Sequence, residues 1–168
     1  ILDQSSYVQL AKQWRQYMDA HGETADGLVN LGQAHDYCEE KDAALKAARR
    51  AVELEPENPL ALTFLGKMLA IWAEDLEGAR AALTRSRKLA PEYGYGLTTL
   101  ASVDLKLGDL AAAEEVFRTV FDQHIISRPL QDYAYNMLVG LPSGAVLVTG
   151  GDSDTYAVLA LQAGMKFR

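Results

Sequence analysis

The chain has 168 residues, of which 49% are hydrophobic and 23% charged, and this composition is typical of a globular protein with one domain or one domain and a small addition. Its net charge of −7 argues against nucleic acid as a main partner, because phosphate binding needs a basic surface. No apolar run reaches the roughly 18 to 20 residues of a membrane-spanning helix, so direct membrane insertion is not expected.

The first predicted element is a helix over residues 5–20. Tyr7 and Trp14 belong to an apolar stripe at helical spacing, and Gly22 is typical of the residue that ends a helix. Trp14 lies 34 residues before Ala48, the interval that also separates equivalent positions later in the chain. The helix is therefore either a cap or the second half of a preceding repeat.

Three consecutive segments then share a pattern of small and apolar residues. The aligned positions are Leu31-Gly32, Ala44, Ala48, Ala51 and Pro56 in the first, Leu65-Gly66, Ala79, Leu83, Ser86 and Pro91 in the second, and Leu100-Ala101, Ala113, Phe117 and Val120 in the third. The leading leucines are 34 and 35 residues apart, and the two prolines are 35 apart. Over residues 25–124 the chain resembles the tetratricopeptide repeat family in both period and residue pattern.

This resemblance implies an all-α fold, a right-handed tetratricopeptide-type solenoid of about three helix-turn-helix repeats with flanking helices and a short C-terminal strand and helix. The predicted divisions are a capping or partial-repeat helix over 1–24, three repeats over 25–128, and an appendix over 129–168. Small residues such as Gly32 would let the two helices of a repeat approach closely. Because Ala48 is also small, we expect the first repeat to pack less fully than the others.

The same resemblance implies that the first helix of each repeat lines a concave groove. The implied partner-binding positions are Asn30, Gln33, Tyr37, Thr63, Lys67, Tyr95, Thr98, Ser102 and Lys106, with Val29, Asp36, Phe64 and Ile71 beside them. These positions lack the set of cationic and amide side chains with which one subfamily grips a peptide C-terminus. The mixture of aromatic and amide groups suits a peptide or protein segment, and the alternative is a face that water alone contacts.

The C-terminal part begins with a predicted helix over 130–139. Residues 145–149 then form a β-branched apolar run between glycine-containing turns, which predicts a buried strand. A helix over 154–163, ended by Gly164, should follow. A strand needs a partner for its backbone groups. Either the chain stops within an α/β unit, which we favour, or another molecule supplies the second strand.

Residues 141–156, with the sequence LPSGAVLVTGGDSDTY, resemble an element of envelope proteins from Bacteroidetes-type bacteria. Those proteins include tetratricopeptide proteins and the soluble tails of membrane proteins similar to protein mannosyltransferases. The resemblance implies a bacterial source and leaves the cytoplasm and the periplasm or envelope open as its compartment. In those proteins a strand beginning Arg-Pro-Asp-Val usually follows, and Arg168 matches its first residue. The chain begins at Ile1 rather than Met, and no second strand appears before Arg168, so we expect both ends to be cut from a longer protein.

The turn before the last predicted helix carries the candidate ligand residues Asp152, Asp154 and Thr155. Two carboxylates after a strand can bind a divalent cation or act as a base, whereas the alternative is that they cap the helix. The histidines are far apart, so no zinc site or other cofactor is predicted. His35 is expected to pack between helices, and Cys38 to be a buried, unreactive thiol.

The sequence therefore predicts a non-enzymatic scaffold that binds a protein or peptide partner in a groove, as part of a bacterial envelope complex. One alternative is a helical spacer attached to an α/β ligand-binding or enzymatic domain that begins near residue 145. Another is a self-assembling structural subunit, because the open ends of a repeat array are apolar and the run at 145–149 can pair between copies.

Overall fold

The computed structural model describes residues 3–166, and within that range it contains nine helices and no strand. The helices are α1 Gln4–His21, α2 Ala25–Tyr37, α3 Lys41–Leu54, α4 Pro59–Trp72, α5 Leu76–Leu89, α6 Gly94–Lys106, α7 Leu110–Asp122, α8 Arg128–Val139 and α9 Asp152–Met165. The predicted all-α fold of consecutive helical hairpins is confirmed. No helix in the described range is long and apolar enough to cross a membrane.

The described chain divides into two compact units, of which the first ends at Pro91 and the second begins at Glu92. The first unit holds α1 to α5, and the second holds α6 to α9. This boundary falls in the turn that follows the second predicted repeat. The finer division into 1–24, 25–128 and 129–168 stays a prediction.

Side-chain caps set the beginnings of several helices. The Thr24 hydroxyl accepts the Gly27 N–H at 3.1 Å before α2, and the Asn58 amide oxygen accepts the Leu60 N–H at 2.9 Å before α4. Pro59 follows Asn58 as the first residue of α4, where its missing N–H costs nothing. These caps satisfy amides that a helix leaves unpaired, so they fix where the hairpins begin.

Besides α9, which ends at Lys166 (φ 54°), four helices end at a residue in the left-handed conformation. These residues are Glu39 (φ 59°), Glu74 (φ 54°), Gly108 (φ 78°) and His124 (φ 55°). After Glu39 the Glu40 N–H donates to the His35 carbonyl at 2.9 Å, and after Gly108 the Asp109 N–H donates to the Asp104 carbonyl at 2.9 Å. Bonds of this kind close the last turn of a helix. In three of the four turns the residue carries a β-carbon, which costs about 1–2 kcal/mol in this conformation.

The two repeat glycines of the first unit allow close packing, but they meet different neighbours. A β-carbon at Gly66 would lie under 3.0 Å from Leu83 of α5, as the repeat pattern predicts. At Gly32 it would lie equally close to the Phe64 ring of α4. The Phe64 ring therefore fills the space beside Gly32, and the expectation that the first repeat packs less fully stays a prediction.

Helix α1 packs on α2 and ends as predicted. The Gly22 N–H donates to the Met18 carbonyl at 2.8 Å, with a φ of 90° at Gly22. The buried ring of His35 on α2 lies 3.3 Å from Arg15 of α1 and also contacts the Glu40 carboxylate. Because arginine only donates, His35 Nε2 accepts from Arg15 and Nδ1–H donates to Glu40. The prediction that His35 packs between helices is confirmed.

In the second unit, α9 lies against α7 and α8. Tyr156 of α9 packs beside Phe117 with ring centroids 6.0 Å apart, and its hydroxyl lies 2.7 Å from that of Ser102. Gly164 does not end this helix as predicted, since α9 continues to Met165. A β-carbon at Gly164 would overlap the Phe121 ring of α7, so this glycine allows the two helices to approach.

The buried strand predicted at 145–149 is not confirmed. No described residue pairs with this segment as a strand, and Val146 and Val148 are each 88% exposed. The physical reason is the lack of a second strand, because a strand is stable only when its backbone groups are paired. The match of Arg168 to a following strand lies outside the described residues.

Candidate functional site

Helices α2 and α4 of the first unit lie side by side and present the predicted groove residues of that unit. On α2, Tyr37 is 51% exposed, and its ring stacks on Tyr7 of α1 with centroids 4.4 Å apart. Asn30 is half-exposed and donates its side-chain N–H to the Asp26 carbonyl at 2.8 Å. The Gln33 side chain is half-exposed. Three polar or aromatic groups are therefore accessible along this helix.

The α4 side of this face is organised by one carboxylate. Asp36 of α2 accepts a hydrogen bond from Lys67 Nζ at 2.7 Å and from Trp72 Nε1 at 2.8 Å. Lys67 thus lies at the predicted surface, but its ammonium is paired within the protein. Ile71, which lies about one helical turn after Lys67 on α4, is exposed. Because Asp36 and Lys67 cancel in charge, the face is close to neutral.

We use the name α2–α4 face for the accessible set. It consists of Asn30, Gln33, Tyr37, Lys67 and Ile71. Amide groups can bond a peptide backbone, while an exposed aromatic ring and an isoleucine can contact apolar side chains. The arrangement suits recognition of a protein segment and offers no pair of groups set up for proton transfer.

Three residues that the resemblance assigned to the groove are instead buried. Thr63 is buried with its hydroxyl 2.8 Å from that of Ser86 on α5, so it cannot contact a partner in the groove. Val29 and Phe64 are also buried. These corrections have a common cause, because each residue lies on the side of its helix that packs against the other helices of the unit.

The predicted groove residues of the second unit lie on α6. Tyr95 and Lys106 are exposed, whereas the Thr98 hydroxyl bonds back to the Gly94 carbonyl at 3.1 Å. Ser102 is held by the Tyr156 hydroxyl of α9 at 2.7 Å. Burial raises the pKa of Tyr156, so this phenol stays protonated and keeps the bond. Ser102 therefore docks α9 in this unit.

Asp36→Ala should lower the free energy of unfolding by about 1–3 kcal/mol, because Trp72 Nε1 and Lys67 both lose a nearly buried acceptor. Urea denaturation followed by circular dichroism measures the change. Asp132→Ala, which removes an exposed carboxylate of α8, is the matched control and should change stability by less than about 0.5 kcal/mol. Equal losses in the two variants would contradict the bonding network.

The candidate ligand turn begins α9. Asp152 and Asp154 lie in the first turn, and neither carboxylate caps the helix by a side-chain bond. The Thr155 hydroxyl donates to the Gly151 carbonyl at 2.8 Å and so accepts from Thr149, whose hydroxyl is 2.5 Å away. In residues 3–166 no group of three or more metal-ligating side chains comes together. Thr155 therefore fastens the preceding segment to α9, and the two carboxylates favour the positive end of the helix.

Cys38 is half-buried at the end of α2. Burial raises the pKa of its thiol, and the nearby Glu40 carboxylate adds to the rise. A protonated thiol is a weak nucleophile, which agrees with the prediction of an unreactive cysteine.

Sequence reasoning missed two aromatic contributors to the α2–α4 face. Tyr7 supports the exposed Tyr37 ring, and Trp72 both donates to Asp36 and lies under Lys41, whose Nζ is 4.6 Å from the ring centroid. Tyr7 was part of the apolar stripe of the first helix, so its helical spacing was visible. Its contact with a residue 30 positions later could not be read from that spacing.

Part of the sequence matches a known family model, and the fold is similar to that of solved structures. Residues 25–58 match the model of the tetratricopeptide repeat. A crystal structure of MamA is similar over 93% of this chain and 85% of that chain, with 16% identity and a TM-score of 0.62. A second crystal structure of MamA protein is similar over 97% of this chain and 92% of that chain, with 16% identity and a TM-score of 0.61. No curated protein sequence matches the chain.

The crystal structure of the Sgt2 TPR domain from Aspergillus fumigatus is similar over 76% of this chain and 91% of that domain, with 17% identity and a TM-score of 0.56. Identities this low establish the fold and not the partner. The resemblance of residues 141–156 to an envelope element stays a prediction. The chain carries a tetratricopeptide repeat at residues 25–58 and has the all-helical fold of tetratricopeptide-repeat solenoids.

Proposed function

We propose that this protein is an interaction scaffold that binds a segment of another protein on its α2–α4 face. The observation that carries the proposal is the exposed Tyr37 ring, which is held in place by stacking on Tyr7. A ring that is already fixed loses little conformational freedom on binding, so its burial contributes fully to affinity. The solved structures of similar fold support the general role of a protein-binding scaffold.

The chemistry of the face indicates an uncharged, partly apolar segment as its ligand. Gln33 and Asn30 offer amide groups for a peptide backbone, and Ile71 offers an apolar contact. Lys67 is already paired with Asp36, which removes the cation that would attract an acidic motif. The place of this scaffold in a bacterial envelope complex is a further part of the proposal and rests on the resemblance of residues 141–156. No catalytic role is proposed.

Tyr37→Ala should weaken partner binding by about 5–30-fold, the loss typical of an aromatic anchor in an interface. The intact chain is immobilised and used to capture proteins from an extract of the source organism, and mass spectrometry identifies them. Calorimetry with the purified partner then measures the affinity of each variant.

Leu89→Ala is the matched control, because Leu89 is 44% exposed and lies at the end of α5, away from the α2–α4 face. It should leave affinity unchanged. Lys67→Ala is a poorer test than Tyr37→Ala, because it also removes the ion pair with Asp36. Equal binding by the folded Tyr37→Ala and Leu89→Ala chains would rule out this face as the binding site.

A further inference from the structure

Residues 145–149 lie between α8 and α9 in the second unit and have open backbone groups. The Ala145 N–H donates to the Pro142 carbonyl at 3.1 Å, and this bond closes the turn that leads into the segment. From residue 146 to residue 149, no backbone N–H or carbonyl is paired with any other described residue. The segment thus has the form of a sheet edge that lacks its neighbour.

Both ends of the segment are fastened, and its side chains alternate. The Pro142 turn holds one end, and the hydroxyl bond between Thr149 and Thr155 holds the other. Leu147 and Thr149 line a cavity of about 330 Å³ together with residues of α8 and α9. Val146 and Val148 point away from it and are each 88% exposed. The segment is therefore fastened with its side chains alternating as in a strand before any partner arrives, which lowers the entropy that pairing would cost.

The composition of the segment indicates which kind of strand can pair with it. Residues 141–151 contain no charged side chain, and residues 143–151 contain no proline, so the usual devices that keep sheet edges apart are missing. Around Leu147 the sequence reads Val-Leu-Val in either direction. An antiparallel copy of the same segment therefore places valine opposite valine on the outward face.

We propose that residues 145–149 pair with the same segment of a second copy of this chain, antiparallel and centred on Leu147. Val146 then lies opposite Val148 of the other copy, and the reverse pair is identical by symmetry. The pairing satisfies the open backbone groups along one edge of each copy and brings the exposed valines into cross-strand contact. A stable interface buries about 1,200 Å² or more, and a segment of five residues buries much less area than that. The dimer is therefore weak, and its formation depends on protein concentration.

Sedimentation velocity at increasing protein concentration tests the proposal. The unaltered chain should shift from monomer towards dimer, and Val148→Lys should remove the shift, because it puts a charged side chain opposite Val146 of the other copy at the paired edge. Val139→Lys is the matched control, since Val139 is 55% exposed on α8 and outside the segment. It should dimerise as the unaltered chain does, with circular dichroism verifying that all three are folded.

Two results overturn the proposal. One is an unaltered chain that stays monomeric at millimolar concentration. The other is a dimer that Val148→Lys leaves intact, which places the contact on another surface.

Disulfide cross-linking tests the register separately, in a Cys38→Ser background. A mixture of Val146→Cys and Val148→Cys chains should cross-link faster than either chain alone, because only residues directly opposite each other bring their Cα atoms within the about 4.4–6.8 Å that a disulfide spans. A parallel, in-register pair would instead cross-link each variant with itself. That outcome overturns the antiparallel arrangement.

Discussion

Phe64→Ala should lower the free energy of unfolding by about 3–5 kcal/mol, as expected for deletion of a buried aromatic side chain. The ring lies against Gly32, at the point where α2 and α4 approach each other. Its removal leaves a cavity beside Gly32, which has no side chain to fill it. Urea denaturation monitored by circular dichroism measures the loss.

The partner substitution Gly32→Ala provides the control, because its cost depends on Phe64. In the unaltered chain the new β-carbon overlaps the Phe64 ring, and we expect a loss of about 1–3 kcal/mol. In the Phe64→Ala background only the Ala47 Cβ, at 3.2 Å, stays close, so the helix propensity of alanine should offset most of that loss. A cost of Gly32→Ala that is the same in both backgrounds would show that the two residues do not share this space.

Gly164→Ala should weaken the packing of α9 in the second unit by about 1–3 kcal/mol, because the new β-carbon overlaps three atoms of the Phe121 ring. Since α9 also fastens residues 141–151 through Thr155, loosening it should expose that segment. Limited proteolysis measures the effect as faster cleavage within 141–151.

Gly140→Ala is the control for this substitution, because a β-carbon at Gly140 meets no atom within 4 Å. It should leave the cleavage rate nearly unchanged. Rapid cleavage of both variants, or of neither, would count against a close approach of α9 and α7 at Gly164.

The hairpins could be predicted from sequence because their signals are local. A glycine such as Gly66 recurs at a fixed interval along the chain. Its contact with a leucine of the next helix depends on few other residues. The Gly22 helix end and the Asn58 cap are likewise visible within a few positions. Such features need no knowledge of the rest of the fold.

The errors arose where packing depends on residues far apart in the chain. Phe64 was assigned to the groove, but it is buried with its ring against Gly32 of α2, a residue of the preceding repeat. Gly164 was interpreted as a helix end, although its role depends on Phe121, a residue 43 positions earlier. The run at 145–149 has strand composition, but composition cannot supply a neighbouring strand.

The candidate site was predicted in part for the same reason. Tyr37 and Gln33 are accessible on α2, as the repeat alignment implied. The alignment could not show that Asp36 pairs with Lys67, since that bond joins two successive repeats. Tyr7 belongs to the helix before the repeats, so no comparison among repeats could include it.

The left-handed residues that end four helices bear on how this fold tolerates divergence. Glu39, Glu74 and His124 hold a conformation that glycine would adopt at lower cost. The packing of the helices therefore imposes the turn, and the residue at the turn does not have to specify it. A repeat of this kind can lose its signature residues one at a time and still retain its hairpin. This explains how the third hairpin keeps its shape although it has no closing proline and its sequence matches the repeat pattern only weakly.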